Sequence, residues 1–557
     1  GRSHDSADEV MTMIEKLSDD LSPERFSKLS QVVGEFCSEH AELPAFTCFG
    51  RTLNYSEVDE LSDRFAHYLI TQTSLQPGDR IAIQLPNILQ FPIAFYGATR
   101  AGLVVVNTNP LYTAQEMAHQ FKDSGVKGIV ILSNFCDKLE KILPGTKIET
   151  IIVTQLGDIQ KPLQRLFLNF VIKTVRRLVP AYSLSNTADF HTVVNTPVPS
   201  FDYPEAGQGD DTALILYTGG TTGVAKGAML SHNNLITNMM QLRSRCLGVI
   251  GDKVESILAP LPLYHSYAFL LHCLTMPYSG NHNILVPNPR DTAGLVKLFK
   301  QWPISGFVGI NTLYLALLRH KDFPSIDFSS LKFCGAGGMA MTTSVSEEWA
   351  KATDSPIYEG YGLTECSPVV AVNIPGKERA GTVGPVVPET ETKVVNDDGI
   401  EVAAGERGEL WIRGPQVMKG YWEAKEESAE ALTSDGWFKT GDYVEISDDG
   451  YISIVDRKKD MILVSGFNVF PNEIEDWANR HPGVLECAAI GVPSEKTGES
   501  IKLFIVPSQK DLDIESVRAH CKAGLTAYKM PREYVLIEDI PKSLIGKILH
   551  RELRDKA

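Results

Sequence analysis

The sequence predicts an α/β fold: a large N-terminal domain of α/β layers that includes a β-rich subdomain, followed by a small mobile α+β domain acting as a lid. Three observations point there. Short Val/Ile-rich runs at 80–85, 128–132 and 150–153 alternate with longer helix-patterned segments, the layout of a layered α/β domain. From Gly399 onward the texture changes to closely spaced Gly and Asp turns around short strands such as 408–412 and 450–455. Strand and helix signals then recur on a smaller scale to the C-terminal end. The domains follow: 1–456 as the large domain, with the β-rich subdomain from about 385 to 456, a charged hinge at 457–460, and the lid at 461–557. At 557 residues the chain has length for a large core and an appended domain.

The formal net charge of −16 and pI near 5.4 argue against a nucleic-acid partner, whose affinity rests on Lys and Arg neutralising phosphates. Nine cysteines, scattered from Cys37 to Cys521 without a Cys-x-x-Cys pair, suggest neither a disulfide framework nor a zinc site. A reducing cytoplasm is the expected location. No apolar segment near the start resembles a signal peptide, and no apolar run reaches about 18 residues, so no spanning helix is expected.

Residues 217–227 read Tyr217-Thr218-Gly219-Gly220-Thr221-Thr222-Gly223-Val224-Ala225-Lys226-Gly227. The apolar run 213–216 before them suits a buried strand, so this loop leaves a rigid element. Its glycines permit positive φ and let backbone N–H groups approach an anion, the threonines add hydroxyl donors, and Lys226 adds a point charge. Val224 and Ala225 separate Gly223 from Lys226, which is not Walker A spacing and disfavours a P-loop NTPase. The stretch is expected to grip the triphosphate of ATP. A plain Gly/Thr-rich surface loop is the alternative, made improbable by the density of such residues.

One segment stands against the acidic background. Across 163–179, Arg165, Asn169, Lys173 and Arg176 follow helical spacing on one face and Leu163, Leu166, Phe167, Phe170 and Leu178 on another. An ordinary surface helix covering the core is the commoner reading; weak peripheral contact with an anionic membrane is the sharper one.

Further motifs follow in order: Gly335-Ala336-Gly337-Gly338, Tyr358-Glu359-Gly360-Tyr361-Gly362-Leu363-Thr364-Glu365, Trp437-Phe438-Lys439-Thr440-Gly441-Asp442, Asp456-Arg457-Lys458-Lys459-Asp460, Ser465-Gly466-Phe467-Asn468-Val469-Phe470-Pro471 and Pro541-Lys542-Ser543-Leu544-Ile545-Gly546-Lys547. Together, from about Leu43 to the C-terminal end, they resemble the adenylate-forming superfamily of acyl-CoA synthetases, luciferases and peptide-synthetase adenylation domains. Phrases such as 464–469 and 546–549 look closest to bacterial long-chain fatty acyl-CoA synthetases.

That resemblance implies a two-step reaction with ATP, Mg2+ and coenzyme A. A long-chain fatty acid and ATP give acyl-adenylate and pyrophosphate; coenzyme A then displaces AMP. Lys547 resembles the lysine that bridges carboxylate and α-phosphate, Glu365 the carboxylate holding Mg2+, and Thr364 a hydroxyl donor to the phosphate. Asp442 resembles the acceptor of both ribose hydroxyls, with Arg457 adding a guanidinium. Gly337, Gly338 and Glu359-Gly360-Tyr361 would form the adenine slot, Tyr361 stacking on the base. Outside the motifs, Asp442 and Glu365 would read as turn or cap residues. The lid would swing about Lys459, bringing Ser465-Gly466-Phe467 to the site as the channel for the pantetheine arm.

His265, within Pro262-Leu263-Tyr264-His265, matches the histidine gating the acyl carboxylate, and no acidic residue stands there to pair an amine. Gly362 replaces the Trp that plugs the acyl pocket of acetate-activating relatives, so a long tail can pass, with Phe269 as an aromatic gate at the tunnel mouth. Two departures are His550, where relatives usually carry Arg, and Ile545, in place of a small polar residue. Rival readings are an acyl-AMP ligase serving a carrier protein, a medium-chain or aryl acid CoA ligase, and a non-catalytic lipid-binding scaffold. The restraining insertion of the first is not seen before Asp456, and the scaffold would be expected to have lost Lys547, Glu365 or Asp442. A homodimer is a candidate assembly.

Overall fold

The computed structural model describes residues 17–218, 225–247, 249–251, 254–337, 341–543 and 546–557. Gly219, Gly220, Thr221, Thr222, Gly223, Gly338 and Ile545 therefore lie outside the described residues.

The Val/Ile-rich runs are strands Arg80–Gln84, Gly128–Leu132 and Thr150–Thr154, paired in parallel. They belong to an eight-stranded sheet ordered Gly420–Tyr421, Lys226–Ser231, Thr212–Thr218, Val104–Asn107, Arg80–Gln84, Gly128–Leu132, Thr150–Thr154, Thr187–Asp189. Its central strands are buried on both faces, which is why they read as continuous apolar runs. The strand that precedes the Gly/Thr-rich stretch does not cross over: Thr212–Thr218 pairs antiparallel with Lys226–Ser231. The Ser231–Asn234 capping box then starts helix His232–Cys246.

A second eight-stranded sheet carries the other motifs, with Ser256–Ala259, Ile304–Gly309, Phe333–Ala336 and Ile357–Gly362 parallel and adjacent. Helices Tyr55–Gln72 and Gln90–Arg100 pack closely where a β-carbon on Gly97 would come 2.9 Å from the Ser62 carbonyl oxygen. Arg100, 2% exposed, is held there by Asp59 and Asp63 at 2.5 and 3.0 Å.

The β-rich subdomain is a four-stranded antiparallel sheet of Glu391–Val395, Gly408–Arg413, Phe438–Ile446 and Ile452–Arg457. Beyond the single turn Lys458–Asp460, a five-stranded sheet and helices Pro471–Ala478, Ile514–Gly524 and His550–Lys556 make the smaller C-terminal domain with its own apolar core. It touches the large domain through Thr343 Oγ1 on Asp476 (3.2 Å) and Arg407 Nη2 on Glu473 (3.1 Å).

The basic segment forms the α-helix Pro162–Phe170 and a π turn Val171–Val175, as its periodicity predicts, but it is turned over. No residue of either piece is buried. The commoner expectation, an apolar face covering the core, is overturned: Leu163, Phe167 and Phe170 face solvent. All nine cysteines are buried free thiols.

Candidate active site

The site lies where the two large sheets, the β-rich sheet and the C-terminal domain meet. Asp442 and Arg457 stand opposite each other on adjacent antiparallel strands, so backbone register alone brings them together. Arg457 Nε donates to Asp442 Oδ1 at 3.1 Å, and the Tyr361 hydroxyl donates to Asp442 Oδ2. An ionised carboxylate accepts about four hydrogen bonds, so this pairing leaves acceptor capacity on Asp442. Burial disfavours the Arg457 cation, yet Asp442, Tyr361, Glu365 and Asp460 hold its pKa above the ordinary value.

Glu365 and Thr364 sit on the single turn Thr364–Cys366 that follows strand Ile357–Gly362. The Tyr421 hydroxyl donates to Glu365 Oε2 at 2.8 Å, and the Lys226 ammonium lies 4.6 Å from the Tyr421 ring centre. Tyr421 thus links Lys226 to Glu365, a contact that spacing did not reveal; its only sequence signal is the Gly420-Tyr421-Trp422 cluster. Thr364 Oγ1 is 3.4 Å from Ser266 Oγ at the start of helix Ser266–Phe269, beside His265. Burial, with Lys547 nearby, lowers the His265 pKa to about 4, leaving a neutral imidazole.

The C-terminal domain supplies Lys547. Gly546 before it has φ +79°, and a β-carbon there would meet Ile310 of the large domain at 2.7 Å, so glycine serves both the turn and the close approach. Burial and Arg457 lower the Lys547 pKa to about 8 against the pull of Asp442 and Glu365. Lys459, on the turn Lys458–Asp460, is lowered to about 8 by burial, Arg457 and Lys547, and its ammonium is buried with no hydrogen-bond partner among the described residues. Arg457 stays charged while the two lysines beside it are held below their ordinary pKa, and three basic groups this close make a pocket suited to a polyanion.

The structure places the remaining residues that the sequence singled out, and it corrects the expectations for Gly227 and Phe269. Tyr217 donates its hydroxyl to Asp123 at 2.5 Å. Gly227 belongs to a strand, where a β-carbon would strike Ile215 at 2.6 Å; it is glycine for packing rather than for anion approach. Thr218 Oγ1 faces the Lys226 carbonyl at 3.4 Å. Gly337 follows strand Phe333–Ala336, beside the Tyr267 ring, and Gly360 lies in the next strand, paired with Val372. Glu359 accepts from the Met341 backbone N–H at 2.6 Å, with burial pushing its pKa up to about 7. Phe269 is no gate at a mouth: it is fully buried, edge-on to Phe95 at 4.6 Å. Ser465-Gly466-Phe467 form an exposed hairpin, Phe467 stacked on Tyr528 at 4.4 Å.

Gly362 carries a different constraint from the open acyl path expected of it. A β-carbon there would lie 2.3 Å from the Pro368 carbonyl oxygen, which already accepts from the Leu363 N–H at 2.9 Å. Gly362→Ala is therefore expected to destabilise the protein by about 1–3 kcal/mol and to lower activity alike on short and long acids. Thermal melts and a chain-length series check this; unchanged stability with shortened preference would restore the tunnel reading.

His550 fills the place of the expected arginine as a cation. Glu475 lies at 3.2 Å and Asp460 at 3.6 Å, the latter also bound by Arg554 at 3.1 Å. Burial opposes the charge, but Glu475, Asp460 and Asp456 push the His550 pKa up to about 9. A folded pKa above the unfolded 6.5 stabilises fully below 6.5 and is lost as pH rises through 9, a difference on the order of 3 kcal/mol. His550→Gln is expected to melt below the wild type at pH 6 and to approach it at pH 9.5; parallel melting curves at both pH values would refute the ion-pair role.

The fold and this convergence of groups define an adenylate-forming enzyme. The family model for AMP-binding enzymes matches residues 34–422 and that for the AMP-binding enzyme C-terminal domain matches 473–547, and the chain belongs to the AMP-binding enzyme family. It is 44% identical over 540 residues, 97% of this chain and 96% of the relative, to a long-chain-fatty-acid–CoA ligase of Salmonella typhimurium. Among solved structures it resembles the anthranilate CoA ligase AuaEII in complex with anthranoyl-AMP (TM-score 0.85, 23% identity, 96% of this chain and 99% of that one). It also resembles ATP-bound MatB from Rhodopseudomonas palustris (TM-score 0.82, 26% identity, 95% and 98% covered). The resemblance to long-chain acyl-CoA synthetases read from the motifs is borne out. Among the described residues no helix is long and apolar enough to cross a membrane.

Proposed function

We propose that the protein activates long-chain fatty acids with ATP, giving acyl-adenylate and pyrophosphate, and then transfers the acyl group to coenzyme A with release of AMP. The observation that most supports this reading is the seat of Lys547, delivered by the C-terminal domain into the cluster of Asp442, Arg457 and Glu365 and close enough to His265 to depress its pKa.

A fatty carboxylate oxygen attacks the α-phosphorus and the bond to pyrophosphate breaks, so two anions must be held together. Lys547 lies where it can bridge them and offset charge as it builds in the transition state. Neutral His265 can donate one ring N–H to the carboxylate without trapping it as a salt. Asp442 accepts from the ribose with the lone pairs that Tyr361 and Arg457 leave over. Thr364 donates to the phosphate, and Lys226 and Lys459 offset charge along the chain of phosphates. Among the described residues no cluster of three or more His, Cys, Asp or Glu could hold a metal by itself, so Mg2+ would rest on Glu365 and phosphate oxygens, where it neutralises charge. Rotation of the C-terminal domain about Lys459 then withdraws Lys547 and presents Ser465-Gly466-Phe467 to the thiol.

Mixing palmitate, ATP and Mg2+ with and without coenzyme A tests this. Without coenzyme A, pyrophosphate should appear in an amount close to that of the enzyme; with it, thioester and pyrophosphate should accumulate together. Sustained turnover without coenzyme A, or no pyrophosphate at all, would overturn the reading.

A further inference from the structure

The helix at 162–175 is mounted with its polar side inward. Asp158, whose side chain is fully buried, accepts from Thr154 Oγ1 and the Gln155 N–H, both at 2.9 Å, and from Arg165 Nε and Asn169 Nδ2, both at 3.2 Å. Asn169 Oδ1 in turn accepts from the Gly157 N–H at 2.8 Å. Arg165 and Asn169 are thus the fastening that ties the helix to the large domain. What they leave pointing outward is apolar: Leu163 is 83% exposed, Phe167 70%, Leu166 63% and Phe170 57%, with Val175 and Leu178 beyond them. A helix whose polar residues anchor it to a buried carboxylate while its large apolar residues stay wet is built to cover those residues with something else.

The charge says what that is. Residues 161–182 contain five Lys or Arg and no Asp or Glu, in a chain of net charge −16. Arg165 is committed to Asp158, but Lys173, Arg176 and Arg177 are exposed at the end of the same helix, where Arg177 at φ +51° ends it. Aromatic and aliphatic groups flanked by cations match an anionic lipid surface, with apolar side chains sinking to the acyl boundary and cations meeting headgroups. A second copy of this chain is disfavoured as the occupant, since a symmetric contact would bring like charges together.

We propose that the outward face of 162–178 is a docking surface for anionic membrane, holding the enzyme reversibly against the bilayer. Each exposed cation near such a surface strengthens binding about fivefold, so Lys173, Arg176 and Arg177 together are worth on the order of a hundredfold.

Co-sedimentation with phosphatidylcholine vesicles, with and without phosphatidylglycerol, is the test. Three proteins are compared: wild type, the triple change Lys173→Glu, Arg176→Glu, Arg177→Glu, and the triple change Leu163→Ser, Phe167→Ser, Phe170→Ser. Wild type should bind only the anionic vesicles and lose binding with salt; the charge variant should bind about a hundredfold more weakly, and the apolar variant should fail to bind. Melting temperature and activity on detergent-dispersed substrate should be unchanged in both. Absent wild-type binding, undiminished binding by either variant, or a lowered melting temperature in the apolar variant would overturn the proposal. So would sedimentation showing a wild-type dimer that the apolar variant loses while vesicle binding persists.

Discussion

Lys547→Ala is expected to slow acyl-adenylate formation by about 10²–10³ or more, the loss typical of removing a donor aimed at developing negative charge, while thioester formation from supplied acyl-adenylate stays close to wild type. The asymmetry follows from where the residue sits. It reaches the Asp442–Glu365 cluster from the C-terminal domain, and in the proposed cycle a rotation of that domain would carry it away before the thiol attacks. The melting temperature separates this from loss of fold: it should stay close to that of the wild type, because burial and Arg457 already disfavour the buried ammonium, whose pKa is lowered to about 8. The same pKa sets a pH profile. In the free enzyme the charged form is lost as pH rises through 8, so the rate constant for adenylation at low ATP should decline above pH 8. Lys547→Arg, whose guanidinium stays charged, should be slower but without that decline. Equal losses in both half-reactions for Lys547→Ala would end the two-pose account.

How much of this was legible beforehand depends on whether a property is local. Hydrophobic period and turn residues are local, so the strands at Arg80–Gln84, Gly128–Leu132 and Thr150–Thr154 and the texture change into the antiparallel sheet could be read directly. The pairing of Asp442 with Arg457 is set by register between two strands, and motif order hinted at it without fixing it. What stayed hidden were contacts between distant segments. Tyr421 reaches Glu365 across 56 positions, and nothing in its neighbourhood announces a partner. Gly362 and Gly227 looked like openings because glycine reads the same whether it admits a ligand or another backbone, and only the 2.3 Å approach of Pro368 and the 2.6 Å approach of Ile215 separate the cases. Helix 162–170 shows the complementary limit. Its amphipathic pattern was plain, but a pattern does not say which face is inside; Asp158, buried and waiting for Arg165 and Asn169, decided that.

Gly466→Leu is expected to be the mirror image of Lys547→Ala, leaving adenylation near wild type and slowing thioester formation about tenfold or more. Ser465 and Gly466 form the two-residue turn between strands Ile462–Val464 and Phe467–Val469, with φ +50° and +83°, the positive pair that matches the twist of a tight hairpin. In the arrangement seen, a β-carbon on Gly466 meets nothing within 4 Å, so bulk there cannot disturb the site that holds Lys547. The substitution carries only the left-handed strain of a side chain at φ +83°, about 1–2 kcal/mol, confined to an exposed turn. After rotation the same turn would line the thiol's approach, and a leucine would fill the space that the slim pantetheine arm needs. Gly466→Ala supplies the control, since it bears the same backbone strain with little bulk. If alanine and leucine slow the second step equally, strain in the hairpin is responsible and the channel has been misplaced. If leucine alone slows it, with pyrophosphate release unchanged, bulk at this turn acts on the coenzyme A step and on no other.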